Sequence, residues 1–224
     1  MTSATRYRDR SEAGHALGRW LAFLAGRPNL LVLALPRGGV PVGVEVAKAI
    51  EAPLDIFLVR KLGLPGSEEI AMGALATGGI KLLDESLIAD SGVTPEGLAE
   101  VTAKEMTELA RRESHYRGDR PRLNIRGRHV ILVDDGVATG YTMRVAVLAL
   151  RRLAPSHVTI AMPVGAPAAC RALADTVDEL ICPLQPEPFH AVGLWYDHFP
   201  ALTDTEVRES LHLPTTAVAR SSSS

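Results

Sequence analysis

A disulfide framework is the first thing the sequence lacks. Two cysteines in 224 residues, Cys170 and Cys182, are too few to staple a fold in the manner of small secreted domains. Cys170 falls in a predicted helix and Cys182 at a strand end, so both read as buried or free thiols. No apolar run approaches the roughly 20 residues that span a bilayer, and residues 1–14 hold no apolar stretch of the kind a secretion signal carries. The expectation is a cytoplasmic protein without membrane partners. Charge of one sign is missing too. With 24 Lys and Arg against 26 Asp and Glu, there is no basic excess of the kind that general nucleic-acid binders need. Aromatic residues make up only 4% of the chain, so the grouping of Phe189, Trp195, Tyr196 and Phe199 near the C-terminal end stands out.

What is present is a chain long enough to bury a full core as one domain, expected over 1–214, with a low-complexity tail at 215–224 that reads as disordered. Residues 9–26 predict an amphipathic helix with Ala13, Leu17, Trp20, Leu21 and Leu24 on one face. The wholly apolar run 30–35 suits a parallel strand covered on both sides, and a helix follows the turn Pro36-Arg37-Gly38-Gly39. A second strand is expected over 54–60, a small hairpin around Gly78-Gly79 from strands near 72–76 and 80–83, and a long helix over 95–116 with Pro95 in its first turn. Beyond it lie strands at 129–133, 157–162 and 177–181, with helices at 142–153 and 167–174 between them. Alternating strands and helices with apolar strands imply an α/β fold, with a mostly parallel sheet of about five strands and helices on both faces. Ligands of such sheets bind at the carboxyl ends of the strands.

The most informative segment is VILVDDGVATGYTM, residues 130–143. A buried strand delivers Asp134 and Asp135 to its carboxyl end, where paired carboxylates can accept hydrogen bonds from vicinal hydroxyls. The loop Ala138-Thr139-Gly140-Tyr141-Thr142 then offers backbone N–H groups, two threonine hydroxyls and a helix N-terminus to an anion. Paired hydroxyls beside a phosphate describe a ribose 5-phosphate. An ordinary acidic βα turn is the bland alternative, but such turns rarely combine an acid pair with T-G-x-T.

This segment resembles the signature loop of the type I phosphoribosyltransferases, which use 5-phosphoribosyl-1-pyrophosphate (PRPP). The resemblance covers about residues 10–210 and points to a generic member of the family. It implies a core at about 28–185, with a small hood from 1–27 and 183–214 covering a small-molecule acceptor. Asp134 and Asp135 would hold the ribose hydroxyls, and residues 138–142 the 5-phosphate. Mg²⁺ would be the cofactor, bound through PRPP and water rather than directly by side chains. Dimers are common in the family.

Further pieces gain meaning beside that resemblance. Pro36-Arg37-Gly38-Gly39 matches the position of the family's pyrophosphate loop, where glycines admit a ligand to the backbone and a non-proline cis peptide often occurs, here at Pro36-Arg37 or Arg37-Gly38. Arg37 could add a charge-assisted fork to a phosphate. Arg60 and Lys61, at the end of the expected second strand, match a basic position that reaches pyrophosphate. The segment 62–72 matches a flexible lid that keeps water from an oxocarbenium-like transition state. Ala138 stands where 6-oxopurine members carry an aspartate, which turns the expectation away from such bases. Glu69 is the candidate lid glutamate acting toward the acceptor, with Arg60 as a neighbour able to tune it. Trp195 and Tyr196 could stack on a planar acceptor or could merely pack the C-terminal segment onto the body.

His190, His198 and Cys182 match no compact zinc spacing. The other histidines, His15, His115, His129, His157 and His212, are scattered and form no motif. Two rival functions stay in view. One is a PRPP- or nucleotide-binding regulator of the same fold without transfer, although no helix-turn-helix or basic face accompanies it. The other is a nucleotide- or sugar-phosphate hydrolase on a doubly wound sheet, which would release phosphate and would not need the acid pair.

Overall fold

A computed structural model describes residues 6–212; the expected tail at 215–224 lies outside the described residues. The first helix, α1 (Arg10–Trp20), starts at Asp9, whose carboxylate accepts the Glu12 N–H at 2.9 Å as an N-cap. A short 3₁₀ turn at Ala22–Leu24 follows it. Ala13, Leu17, Leu21 and Leu24 are buried as the periodicity requires, whereas Trp20, expected on the same face, is 61% exposed.

The remaining elements, in chain order, are β1 (Leu30–Ala34), α2 (Gly39–Ala49), β2 (Leu54–Ile56), β3 (Val59–Leu64), β4 (Ser67–Ala76), β5 (Ile80–Leu83), α3 (Glu85–Asp90), α4 (Pro95–Arg117), β6 (His129–Val133), α5 (Tyr141–Arg152), β7 (His157–Ala161), α6 (Pro167–Ala174), β8 (Glu179–Ile181) and α7 (Asp204–His212). Five strands form one parallel sheet in the order β2-β1-β6-β7-β8. Apolar cores lie on its two faces. Leu31, Leu33, Val130 and Leu132 pack toward α5 and α6, while Val32, Ile131 and Val133 pack toward α1 and α2. Helices cover both faces because every residue of β1, and all of β6 and β7 after the first, is buried.

The expected strand at 54–60 is two strands. Ile56 is the last residue of β2, and Phe57 still donates to Ala34 O at 3.0 Å. Pro36 has no N–H to extend the pairing from the other side. Leu58 instead bonds to Thr77, its N–H to the buried hydroxyl at 2.9 Å and its carbonyl to the Thr77 N–H at 2.9 Å. The chain therefore leaves the parallel sheet and enters an antiparallel three-stranded sheet, β3-β4-β5. Two expectations change with it. Arg60 and Lys61 lie near the start of β3, and the segment 62–72 is a β-hairpin rather than an irregular loop. Leu62 and Met72 are fully buried under it, and only its tip around Pro65–Ile70 is exposed. The turn expected at Gly78-Gly79 is present, with φ of 90° and 76° at the two glycines, a conformation that glycine adopts without steric cost.

One buried ion pair fastens the second sheet strand to the long helix. Asp55 Oδ1 accepts from Arg117 Nε at 3.2 Å, from the Arg117 terminal nitrogen at 3.0 Å and from the Ile56 N–H at 2.8 Å, while Oδ2 accepts the Leu123 N–H at 3.3 Å. Both side chains are buried, so the charges are matched and hydrogen-bonded, as burial demands.

Candidate active site

The site grows from two adjacent strands that end together. β1 and β6 pair in register up to Ala34 and Val133, and Leu35 donates to Val133 O at 2.9 Å. Beyond these points each strand turns into a helix. β1 passes through Pro36-Arg37-Gly38 into α2, and β6 passes through Asp134 to Gly140 into α5. Neither helix has a side-chain cap or an acidic residue in its first turn. Two helix starts thus flank the acid pair, and they differ. The first N–H groups of α5 have no partner among the described residues, an arrangement that receives anions. At α2, by contrast, Gly39 donates to Leu35 O at 3.0 Å, Val40 donates to Arg37 O at 3.2 Å and Pro41 has no N–H.

The glycine turn is shaped by the acids. A Cβ on Gly38 would fall 1.9 Å from Asp135 Oδ2, and one on Gly39 would fall 2.7 Å from Val133 O and 3.2 Å from Asp134 Oδ1. The carboxylates therefore pack directly onto the first turn of α2, and no larger residue fits between them. The Pro36–Arg37 peptide is cis, the first of the two positions anticipated for it. The Arg37 side chain is half exposed and lies 3.9 Å from Asp204 of α7. Asp204 also accepts the Tyr116 hydroxyl at 2.6 Å. Burial, followed by that acidic partner, pushes Tyr116 up to about 12.

The two acids are not equivalent. Asp134 accepts the Asp135 N–H at 2.8 Å. Burial, reinforced by the neighbouring Asp135, raises its pKa well above the usual carboxylate range. Asp135 is also raised by burial, but Arg10 opposes the shift. Arg10 Nε donates to Asp135 Oδ2 at 2.8 Å and its terminal nitrogen donates to Pro200 O at 2.9 Å. The guanidinium lies 3.7 Å over the Phe199 ring, within cation–π range. The Tyr196 hydroxyl donates to the Asp135 carbonyl at 2.6 Å, and burial, then Asp135, raises its pKa. One arginine from the first helix and two rings from the C-terminal segment thus clasp the second acid.

Arg10 and Phe199 were not read as site residues from the sequence. A signal existed for Arg10, which lies three and seven residues before Ala13 and Leu17 and so falls in the buried stripe of α1, where a charge needs a partner. Tyr196 is 4% exposed, and it supports the acid pair from the protein side instead of presenting an open stacking surface. Trp195 is half-buried and stacks on Phe189 with ring centroids 6.4 Å apart.

The loop after the acids is held from behind. Val137 donates to Val164 O at 3.1 Å and Ala166 donates to Val137 O at 2.9 Å. This leaves Ala138, Thr139, Tyr141 and Thr142 exposed. Gly140 has a φ of 79° and accepts the Arg144 N–H at 2.9 Å, so a left-handed residue opens α5.

The lid candidates stand apart from this cluster. Arg60 Nε donates to Glu105 of α4 at 2.7 Å, so it is paired with α4 and not with Glu69. The Glu69 carboxylate is fully exposed on the hairpin tip, 3.9 Å from Lys61 Nζ, and Lys61 also donates to the Glu69 carbonyl at 3.2 Å. A cleft of about 280 Å³ between the hairpin and α4 is lined by Arg60, Lys61, Glu68 and Glu105; its lining includes neither the acids nor the glycine turn.

The sequence profile of the phosphoribosyl transferase domain matches residues 11–191. The chain belongs to the phosphoribosyl transferase domain family. It is 39% identical over 199 residues to a protein of Mycobacterium tuberculosis strain H37Rv provisionally named phosphoribosyl transferase, a match that covers 89% of this chain and 45% of that protein. The chain therefore spans about half the length of the curated relatives it matches. It is also similar to TT1426 from Thermus thermophilus, whose crystal structure aligns with a TM-score of 0.81 at 39% identity over 92% of this chain and 98% of the other.

Proposed function

We propose that the protein transfers the 5-phosphoribosyl group from PRPP to a small nitrogen-containing acceptor and releases pyrophosphate. The observation that carries this reading is the acid pair Asp134 and Asp135 set between the open first turn of α5 and the glycine turn that carries Arg37 and packs directly on the carboxylates. One anion site on each side of a diol-binding acid pair matches a ribose bearing phosphate at one end and pyrophosphate at the other. On this reading the α5 start and residues 138–142 take the 5-phosphate. Arg37, Gly38 and Gly39 take the pyrophosphate, and Asp134 and Asp135 hold the ribose hydroxyls. Lys61 and Arg60, carried on the hairpin, approach the pyrophosphate when the tip closes. Glu69 travels with them, and Trp195 borders the acceptor.

The work of these residues is electrostatic and positional. Preorganised N–H groups stabilise charge on the departing group, and a fixed ribose holds its anomeric carbon in line for attack. Mg²⁺ fits the donor set. Asp135 is already compensated by Arg10, whereas Asp134 is a half-buried hard-oxygen donor with no cationic partner of its own, and it gains from a ligand that arrives with a dication. The Mg²⁺ would neutralise the pyrophosphate while it is bound.

Pyrophosphate release from PRPP, measured across a panel of nitrogen acceptors, tests the proposal. Release that requires an acceptor, and is lost in Asp134→Asn/Asp135→Asn, supports it. A second reading, a PRPP-binding regulator without transfer, is favoured by the full exposure of Glu69. It predicts PRPP binding with no release for any acceptor.

A further inference from the structure

At the sheet edge opposite the acid pair, three adjacent strands begin with ligand-type side chains. His129 opens β6, His157 opens β7 directly beside it in register, and Glu179 opens β8 opposite Thr159. Residues two apart along a strand share a face, so positions 129, 157, 159 and 179 all point to one side, the side of Ile131 and Val133. The two imidazole rings meet edge to face with centroids 4.3 Å apart. His129 Nε2 lies 2.8 Å from Thr159 Oγ1, which donates to Glu179 Oε2 at 3.2 Å. One potential ligand atom from each of His129, His157 and Glu179 lies within 4.8 Å of the others. All three side chains are half-buried and open onto a cleft bordered by Phe23, Arg27 and Asp178.

We propose that His129, His157 and Glu179 form a binding site for a first-row transition dication, Zn²⁺ in the first instance, which ties β6, β7 and β8 together at their amino ends. Two imidazole nitrogens and one carboxylate oxygen are a donor set suited to Zn²⁺, whereas Mg²⁺ prefers oxygen alone. Bonds of about 2.0–2.2 Å place tetrahedral donor atoms about 3.4 Å apart. The observed separations close to that value with a movement of about an ångström, within reach of side-chain rotation at a half-open surface. A solvent molecule supplies the fourth position from the cleft. Asp178 is committed elsewhere, accepting the Val158 N–H at 2.7 Å and pairing with Arg151 at 2.9 Å.

A hydrogen-bonded chain through Thr159 would account for His129 and Glu179 without a metal. It leaves out His157, whose ring makes no hydrogen bond among the described residues yet packs against His129. The five residues of β6 separate this site from Asp134 by about 16 Å at roughly 3.3 Å per residue, so the bound ion is distinct from any dication that accompanies PRPP.

The test uses the full chain, freed of metal by chelator and titrated with Co²⁺ alone and then with Zn²⁺. One Co²⁺ per chain, with the intense visible absorption of a four-coordinate site and displacement by Zn²⁺, is the expected result. Affinity should fall at least tenfold in His157→Gln and in Glu179→Gln, and should be kept in Thr159→Val, which breaks only the hydrogen-bonded chain. Circular dichroism of each variant separates loss of the site from loss of the fold. The proposal is overturned if no stoichiometric binding occurs or if folded His157→Gln and Glu179→Gln bind as the wild type does. It is equally overturned if binding is lost only on changing Asp134 and Asp135 or Cys170 and Cys182.

Discussion

Two aspartates, one on β2 and one just past the end of β6, lie on opposite sides of β1, and their surroundings differ sharply. Asp55 on β2 accepts four hydrogen bonds, two of them from a buried arginine. Asp134, just past β6, accepts one, from the next residue of its own chain, and its nearest charged neighbour is another carboxylate. The first arrangement satisfies every charge within the protein. The second leaves a charge whose ionised form is disfavoured until something else arrives. Within one sheet the contrast separates a carboxylate that holds the fold from one that waits for a ligand, in line with the tendency of perturbed carboxylates to mark functional sites.

The sharpest way to break the comparison is at Arg117. Replacing it by methionine strands Asp55 as a buried, unpaired charge, and the expected loss is about 3–5 kcal/mol, read from the urea midpoint at constant slope. PRPP affinity of the folded fraction should not change. Arg10→Met is next. It removes the Asp135 partner from a pair slightly more accessible than Asp55–Arg117, so the expected loss is smaller, about 2 kcal/mol, and it should be accompanied by weaker PRPP binding in calorimetry. A variant that loses stability but keeps affinity would reduce Arg10 to a structural tie between α1 and the C-terminal segment.

Asp134→Asn should move the other way. Because the folded-state pKa of Asp134 is raised, the folded protein holds a proton that the unfolded chain has already released. Stability contributed by the protonated form is present below the ordinary aspartate value and is lost as pH rises through the elevated one. At neutral pH the amide should therefore stabilise the apo-protein by about 1 kcal/mol, a rise in Tm of roughly 2–4 °C for a chain of this size. The downward slope of Tm with pH should flatten in the variant. Asp55→Asn under the same conditions should only destabilise. The smallest effect is expected at Glu69→Ala, within about 0.5 kcal/mol for an exposed side chain. A fall in turnover without a change in Tm would assign Glu69 to the closed hairpin, and unchanged turnover would remove it from the mechanism.

The parallel core was legible because burial on both faces forces strands such as 30–34 and 129–133 to be continuously apolar, and the acid pair was legible because it directly follows one of them. The break after Ile56 was not. Leu54 to Val59 is apolar throughout apart from Asp55, and only Thr77, nearly 20 residues on, redirects Leu58 into the antiparallel sheet. The strand pairing within 62–72 was hidden for the same reason, since its apolar residues Leu62, Leu64 and Met72 are interrupted by glycines and a proline at the turn. In the site, the sequence placed the glycine turn and the phosphate loop together through topology alone. It could not place Arg10 on Asp135 across 125 residues, or show that Tyr196 faces inward, because such pairings are set by how the two ends of the chain cross over the sheet.

The central claim is that Asp134 and Asp135 hold the ribose of PRPP between two helix starts. Calorimetric titration of PRPP with Mg²⁺ into the wild type and into Asp134→Asn/Asp135→Asn tests it most directly. The account predicts binding by the wild type and at least a tenfold loss in the double variant, about 1.4 kcal/mol, with the variant folded. No binding by the wild type, or equal binding by both proteins, would contradict it.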